Sequence, residues 1–344
     1  MKKIFFYILL VFIIATNEAC DKDTDEFIPT TTTVISTVSK VDTVWENEAN
    51  LQIPTGGVTV PLFEIEKLYK ELSSPLVSDS ISAEQGGKIK LQDNMYIEFP
   101  ANSCVNKLNV PCRGKIDVEA IILRTKGELI TYDKPTTAAG RLLTSGGVLF
   151  ITAKQNGVEV RLATGKSIKI RYKMPVVEPN MQVLAGRFLN RLQFEWATFA
   201  STGTQTGVTI WTENALEKKG YDVFCDRLGW ISCNKLNLAT NVSNKFCVTV
   251  ADTFTNRNTS VYLALKNSLS VVKLEGMPST KQFCLPLTFK GLPIGEQVSV
   301  VSVTNVNGRF YTDIQETTVG VNNTVRLKPQ PILLIELRKK ILNL

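Results

Sequence analysis

Ile168-Lys169-Ile170-Arg171-Tyr172 alternates apolar and charged side chains at every step. Successive side chains on a strand point to opposite faces. This spacing therefore gives Ile168, Ile170 and Tyr172 one buried face and leaves Lys169 and Arg171 to solvent. The pattern recurs in both directions along the chain. Ile116, Val118, Ala120 and Ile122 alternate with Asp117 and Glu119, and Leu192, Phe194 and Trp196 alternate with Gln193 and Glu195. Val261-Tyr262-Leu263, Val271-Val272 and Val298 to Val303 extend it toward the C-terminus. Gly86-Gly87, Gly146-Gly147, Asn156-Gly157, Pro293-Ile294-Gly295 and Asn307-Gly308 read as the turns between these runs. Many short strands with such punctuation predict an all-β chain of tandem β-sandwich domains. Pro61 to Leu72, with apolar Leu62, Phe63, Ile65, Leu68, Tyr69 and Leu72, is the one stretch with a helical period.

A length of 344 residues suits two or three domains, each burying its own core. The patterned region is expected to divide into a β domain over 60–175, a central β segment over 176–237 and a C-terminal sandwich over 238–344. The first boundary is placed at Met174-Pro175 to Pro179, because two prolines interrupt ladder pairing.

The chain carries a formal charge of +7 and contains no histidine. Its basic residues are scattered rather than gathered on one element with stacking aromatics, so no nucleic-acid partner is expected. The missing imidazole excludes Ser–His and Cys–His nucleophile pairs and the usual histidine-bearing catalytic zinc sites. Paired carboxylates and a Ser–Lys dyad remain open.

At the N-terminus Lys2 and Lys3 precede an unbroken apolar run from Ile4 to Ile14, then Ala19-Cys20. The run has the length of a signal-peptide core and falls short of the roughly 20 residues a membrane-spanning helix needs. The arrangement resembles the cleavage site of bacterial lipoprotein precursors, with Asn17 where an aliphatic residue is usual. The resemblance implies a signal peptide over 1–19, lipidation at Cys20 and anchoring in the outer membrane. The acidic run Asp21 to Glu26 and the Thr-rich stretch beyond it read as a flexible tether over 20–59. Acidic runs of this kind resemble those that send Bacteroidota lipoproteins to the cell surface.

Seven cysteines become six once Cys20 is set aside, an even number for an oxidising compartment. Short loop closures favour Cys104 with Cys112, Cys225 with Cys233, and Cys247 with Cys284. A four-thiolate zinc site from Cys104, Cys112, Cys225 and Cys233 is the alternative. Its spacing fits poorly with ligand pairs two to four residues apart.

Two stretches resemble uncharacterised Bacteroidota surface lipoproteins. One runs from Gly87-Lys-Ile-Lys-Leu91 through Tyr96-Ile-Glu-Phe-Pro100-Ala-Asn102 and Gly114-Lys-Ile-Asp-Val118, continuing with Leu143-Thr-Ser-Gly146-Gly147. It is distantly similar to ZU5-like domains, β-sandwich interaction modules. The other, Tyr221-Asp-Val-Phe-Cys225-Asp-Arg-Leu-Gly229-Trp230-Ile-Ser-Cys233, is similar to the Gly-Trp-Ile element of those lipoproteins. The resemblance implies a fold and brings no activity with it.

Among candidate sites, Trp230 is an aromatic platform for a sugar or partner on one reading and a core tryptophan packed on a disulfide on the plainer one. Ser232-Cys233-Asn234-Lys235 matches S-x-x-K without its companion motifs. Asp117 and Glu119 share one strand face, which is ordinarily a solvated face. No cofactor or metal is expected. The expected function is a non-catalytic, membrane-anchored surface lipoprotein that binds a protein or glycan at the envelope. An accessory subunit of an outer-membrane assembly and an enzyme using carboxylates are the alternatives.

Overall fold

The computed structural model describes residues 43–54, 60–201, 206–214 and 218–344. The expected leader, Cys20 and most of the expected tether lie outside the described residues. The rest is built mainly of antiparallel strands in several sheets, as the alternating pattern requires.

One sheet of the first sandwich runs, in spatial order, Val77–Ser82, Lys115–Leu123, Arg141–Gln155, Gly229–Leu236, Gln182–Phe188 and Phe194–Ala197. The facing sheet runs Gly207–Glu213, Lys218–Cys225, Ile168–Lys173, Tyr96–Phe99 and Gly87–Lys90. Ile116, Val118, Leu149, Ile151 and Ile231 from one sheet meet Ile97, Ile168, Ile170, Tyr172 and Val223 from the other. Lys169 and Arg171 turn outward as expected, yet both bind the buried Asp222, Arg171 in a two-point clasp at 2.6 Å.

The boundary expected at 174–179 is a crossing inside this sandwich and not a division between folded bodies. Ile168–Lys173 pairs with Lys218–Cys225, and Arg141–Gln155 pairs with Gly229–Leu236. Residues 60–175 therefore leave both sheets incomplete without the 176–237 segment.

The C-terminal sandwich has one sheet ordered Val271–Lys273, Thr259–Leu265, Gln297–Val306, Arg309–Thr318 and Gln330–Ile332. Facing it are Glu275–Met277, Gln282–Cys284, Phe246–Thr249 and Asn323–Arg326, the last two parallel. Its own core includes Phe246, Val248, Val261, Leu263, Phe283 and Val300.

A third apolar core joins the two sandwiches. It takes Leu143, Val148, Phe194 and Trp196 from the first, and Tyr262, Ala264, Val271, Val301 and Val303 from the second. Three helices fill the seam: α1 (Glu64–Leu72), α2 (Lys126–Thr131) and α3 (Leu334–Leu342). Only α1 has a clear period in sequence; α2 is too short to show one, and α3 buries just Leu337 and Ile341. The seam explains why Leu142 to Leu149 and Val298 to Asn305 are buried almost without alternation: these strands have protein on both faces.

Asn156-Gly157 and Asn307-Gly308 form two-residue hairpin turns with positive φ at both positions. Gly146-Gly147, by contrast, lies in mid-strand and is not a turn. A Cβ on Gly146 would come within 2.7 Å of the Tyr221 ring, and one on Gly147 within 2.9 Å of Tyr172. The glycines clear space for two buried tyrosines, opposite a register shift between Ser232 and Asn234.

Candidate functional site

A network of buried and half-buried polar side chains sits at the joint between the sandwiches, and it begins with a part of the expected tether. Residues 44–51 are docked on the C-terminal sandwich. Trp45 lies 5.0 Å from the Phe283 ring. The Asn256 carboxamide accepts from Glu46 N at 2.9 Å and donates to Glu46 O at 2.8 Å, imitating one rung of a β-ladder. Glu48, in the short turn Glu48–Asn50, is buried. Its Oε1 accepts from Gly276 N at 2.9 Å and Asn256 Nδ2 at 3.1 Å, and its Oε2 accepts from Gln193 Nε2 at 3.3 Å. The same Gln193 nitrogen donates to Glu275 Oε1 at 2.5 Å. A cavity of about 90 Å³ is lined by Glu48, Gln193, Phe194, Lys273 and Glu275.

Two carboxyls thus share one amide in a partly desolvated space. Burial raises the pKa of Glu48, against the pull of Lys273 and its hydrogen-bond donors. Burial, and then the neighbouring Glu48, push Glu275 up to about 7. Lys273 is held at 2.7 Å by Asp133 and donates to Leu192 O at 2.8 Å. Tyr262 donates to the other oxygen of Asp133 at 2.6 Å, and Tyr69 on α1 bonds the Tyr262 hydroxyl. The network links the docked segment, helix α1 and both sandwiches.

Next to it, Lys134 is buried with Nζ 4.3 Å from the Phe194 ring centre, 4.7 Å from Trp230 and 4.9 Å from Phe188. Burial lowers its ammonium to about 8, opposed by Asp133. Facing rings stabilise the cation it retains. Trp230 is therefore one wall of an aromatic box occupied by the protein's own lysine, and it also packs on Phe150 at 4.9 Å and Tyr132 at 5.9 Å. It is half-buried and has no disulfide beneath it.

Of the expected cystines, Cys247–Cys284 is formed, between directly opposed residues of adjacent strands. Cys225 and Cys233 are free thiols on facing sheets. Cys233 sits beside Gly146 and within reach of the Tyr172 hydroxyl, and Tyr221 also closes on Gly146. The expected Cys225–Cys233 bond is thus not formed in the structure. No group of three metal-ligating residues, as the zinc alternative would need, occurs among the described residues. Cys104 and Cys112 are buried free thiols lying opposite each other.

The remaining candidates do not assemble. Ser232 Oγ accepts from Asn234 at 2.5 Å, while Lys235 is paired with Glu178 at the surface, so no Ser–Lys dyad forms. Asp117 pairs with Lys115 and Glu119 with Lys154 on a half-exposed face. Sequence reading passed over Glu48, Asp133, Lys134, Gln193 and Glu275, which are spread across the chain and share no motif. The one available signal was Trp45, an aromatic residue in an otherwise polar stretch. In comparisons with known proteins the chain matches no family model, no curated protein and no solved structure.

Proposed function

We propose that this chain is a lipid-anchored, non-catalytic binding protein of the bacterial envelope. In this reading Cys20 holds it to the outer membrane, and the sandwiches meet a protein or glycan at the cell surface. The observation that carries the reading is the docking of residues 44–51. The chain that follows Cys20 is fastened at the joint of the two sandwiches through Trp45 and Glu48. The 22 residues from Asp21 to Asp42 can extend to at most about 75 Å, which keeps the body within reach of a bilayer. The buried carboxyls, lysines and tyrosines of the joint are engaged with one another, which supports a structural use for them.

The accessory-subunit reading has its own support in the strand Gly207–Glu213. It is the outermost strand of its sheet, carries Val208, Thr209, Ile210 and Thr212, and contains neither lysine nor proline. Such an edge suits pairing with a strand from a partner.

The test is metabolic labelling with palmitate of the wild type and Cys20→Ala, followed by membrane fractionation and cross-linking. Label on the wild type that is lost in Cys20→Ala, with release of the variant from membranes, is the expected result. An unlabelled wild type that washes free of membranes would sink the anchor. One membrane protein cross-linked in fixed ratio favours the accessory role, and a defined turnover by the purified protein overturns the non-catalytic reading.

A further inference from the structure

The loop closed by Cys104 and Cys112 carries a feature the fold leaves open. Val105 and Pro111 form an antiparallel bridge, so the register places Cys104 directly opposite Cys112. Two backbone bonds agree with that register: Cys112 N donates to Cys104 O at 3.0 Å, and Asn106 N donates to Val110 O at 2.9 Å. Directly opposed residues of an antiparallel pair project their side chains to the same face. A hydrogen-bonded pair has its Cα atoms about 5.5 Å apart, inside the range that a disulfide spans. Both thiols are buried in the core of the first sandwich. Cys247 and Cys284 stand in the same directly opposed relation and are bonded.

We propose that Cys104 and Cys112 are a second disulfide site, closing under oxidising conditions into a staple at the neck of the 105–111 loop. Each thiol gives up one proton and one electron, and a sulfur–sulfur bond forms. The two electrons and two protons pass to a disulfide oxidant such as oxidised glutathione, which leaves as two thiols. Register selects this pair, since Cys225 and Cys233 lie on other strands and neither stands opposite Cys104 or Cys112. Burial raises all four thiols, Cys104 and Cys112 included, and carries Cys225 to about 11 and Cys233 to about 12. The staple holds an apolar tip: Leu108 is 81% exposed and Val110 53%, beside the exposed Lys107, with Arg161 bracing Asn109 at 2.7 Å. Fixing that tip in one conformation removes the entropy a partner would otherwise have to supply in ordering it.

Lys107 makes the test direct. The full-length protein is refolded with oxidised glutathione, free thiols are blocked, and trypsin is applied. A cut after Lys107 leaves Cys104 and Cys112 on different fragments. The expected result is two fragments that migrate together without reductant and separate with it, and a peptide joining Cys104 to Cys112 that is about 2 Da lighter than its two reduced halves. Cleavage after Lys107 should also slow by at least about tenfold relative to reduced protein. Both cysteines recovered as blocked thiols, or either one joined to Cys225 or Cys233, overturns the proposal. Cys112→Ser should abolish the linkage. Should that variant fold poorly, the wild-type peptide map decides by itself.

Discussion

Burial against Glu48 pushes the carboxyl of Glu275 up to about 7 from an ordinary value of 4.5, and that shift makes stability depend on pH. The folded state holds this proton more tightly than the unfolded chain does. Its contribution is full below about 4.5, falls as pH rises through about 7, and is flat above. Urea titrations should therefore show the wild type less stable at pH 8 than at pH 5, with at most about 3 kcal/mol from this group. Glu275→Gln should flatten most of that difference; an unchanged slope would remove Glu275 from the account. The buried thiols behave in a related way. With Cys225 near 11 and Cys233 near 12, iodoacetamide at pH 8 should leave both unlabelled until denaturant is added. Gly220 shows how closely the backbones approach: a Cβ there would fall 1.9 Å from Tyr172 O. Gly220→Ala should cost about 2–4 kcal/mol in a denaturation midpoint, because the neighbour is main chain and cannot rotate away.

Among the elements, the docked segment 44–51 is the one whose role sequence pattern could not supply. It has no period, and its attachment depends on Asn256, Phe283 and Gly276, which are more than 200 residues away in the chain. Trp45→Ala removes its aromatic contact, leaving Leu51 on the seam, and should cost roughly 2 kcal/mol, with limited proteolysis near residues 43–54 appearing before global unfolding. Unchanged proteolysis would mean that the Glu48 and Asn256 bonds suffice. The strands themselves were legible where one face meets solvent, as in Ile168–Lys173 and Lys115–Leu123. They were less so in Arg141–Gln155, where cover on both sides erased the alternation and Gly146-Gly147 imitated a turn.

For the molecule as a whole, the seam between sandwiches decides cooperativity. Tyr262, Val271, Val301 and Val303 from the second sandwich share one core with Leu143, Val148, Phe194 and Trp196 from the first. Helices α2 and α3 close it so tightly that a Cβ on Gly127 would meet Ile341 O at 2.2 Å. Residues 43–344 should consequently unfold in one transition, with tryptophan fluorescence and far-ultraviolet dichroism coincident. Leu337→Ala should lower that single midpoint by about 2–4 kcal/mol without splitting it. Two separate transitions in the wild type would show that the sandwiches are independent.

The sequence by itself determined the all-β class, a helix within Pro61 to Leu72 and turns at Asn156-Gly157 and Asn307-Gly308, and of the three cystines it favoured Cys247–Cys284 is formed. The class, the helix and the turns are short-range patterns. It also marked Trp230 as unusual without showing what surrounds it. Tertiary structure alone decided that 176–237 completes the first sandwich, that Cys225 and Cys233 stay free thiols, and that Trp230 encloses Lys134. It alone gathered Glu48, Gln193, Lys273 and Glu275 around one cavity. The reason is physical: strand pairing and burial of charge are settled between segments distant in the chain, and periodicity reports only the local face each residue presents.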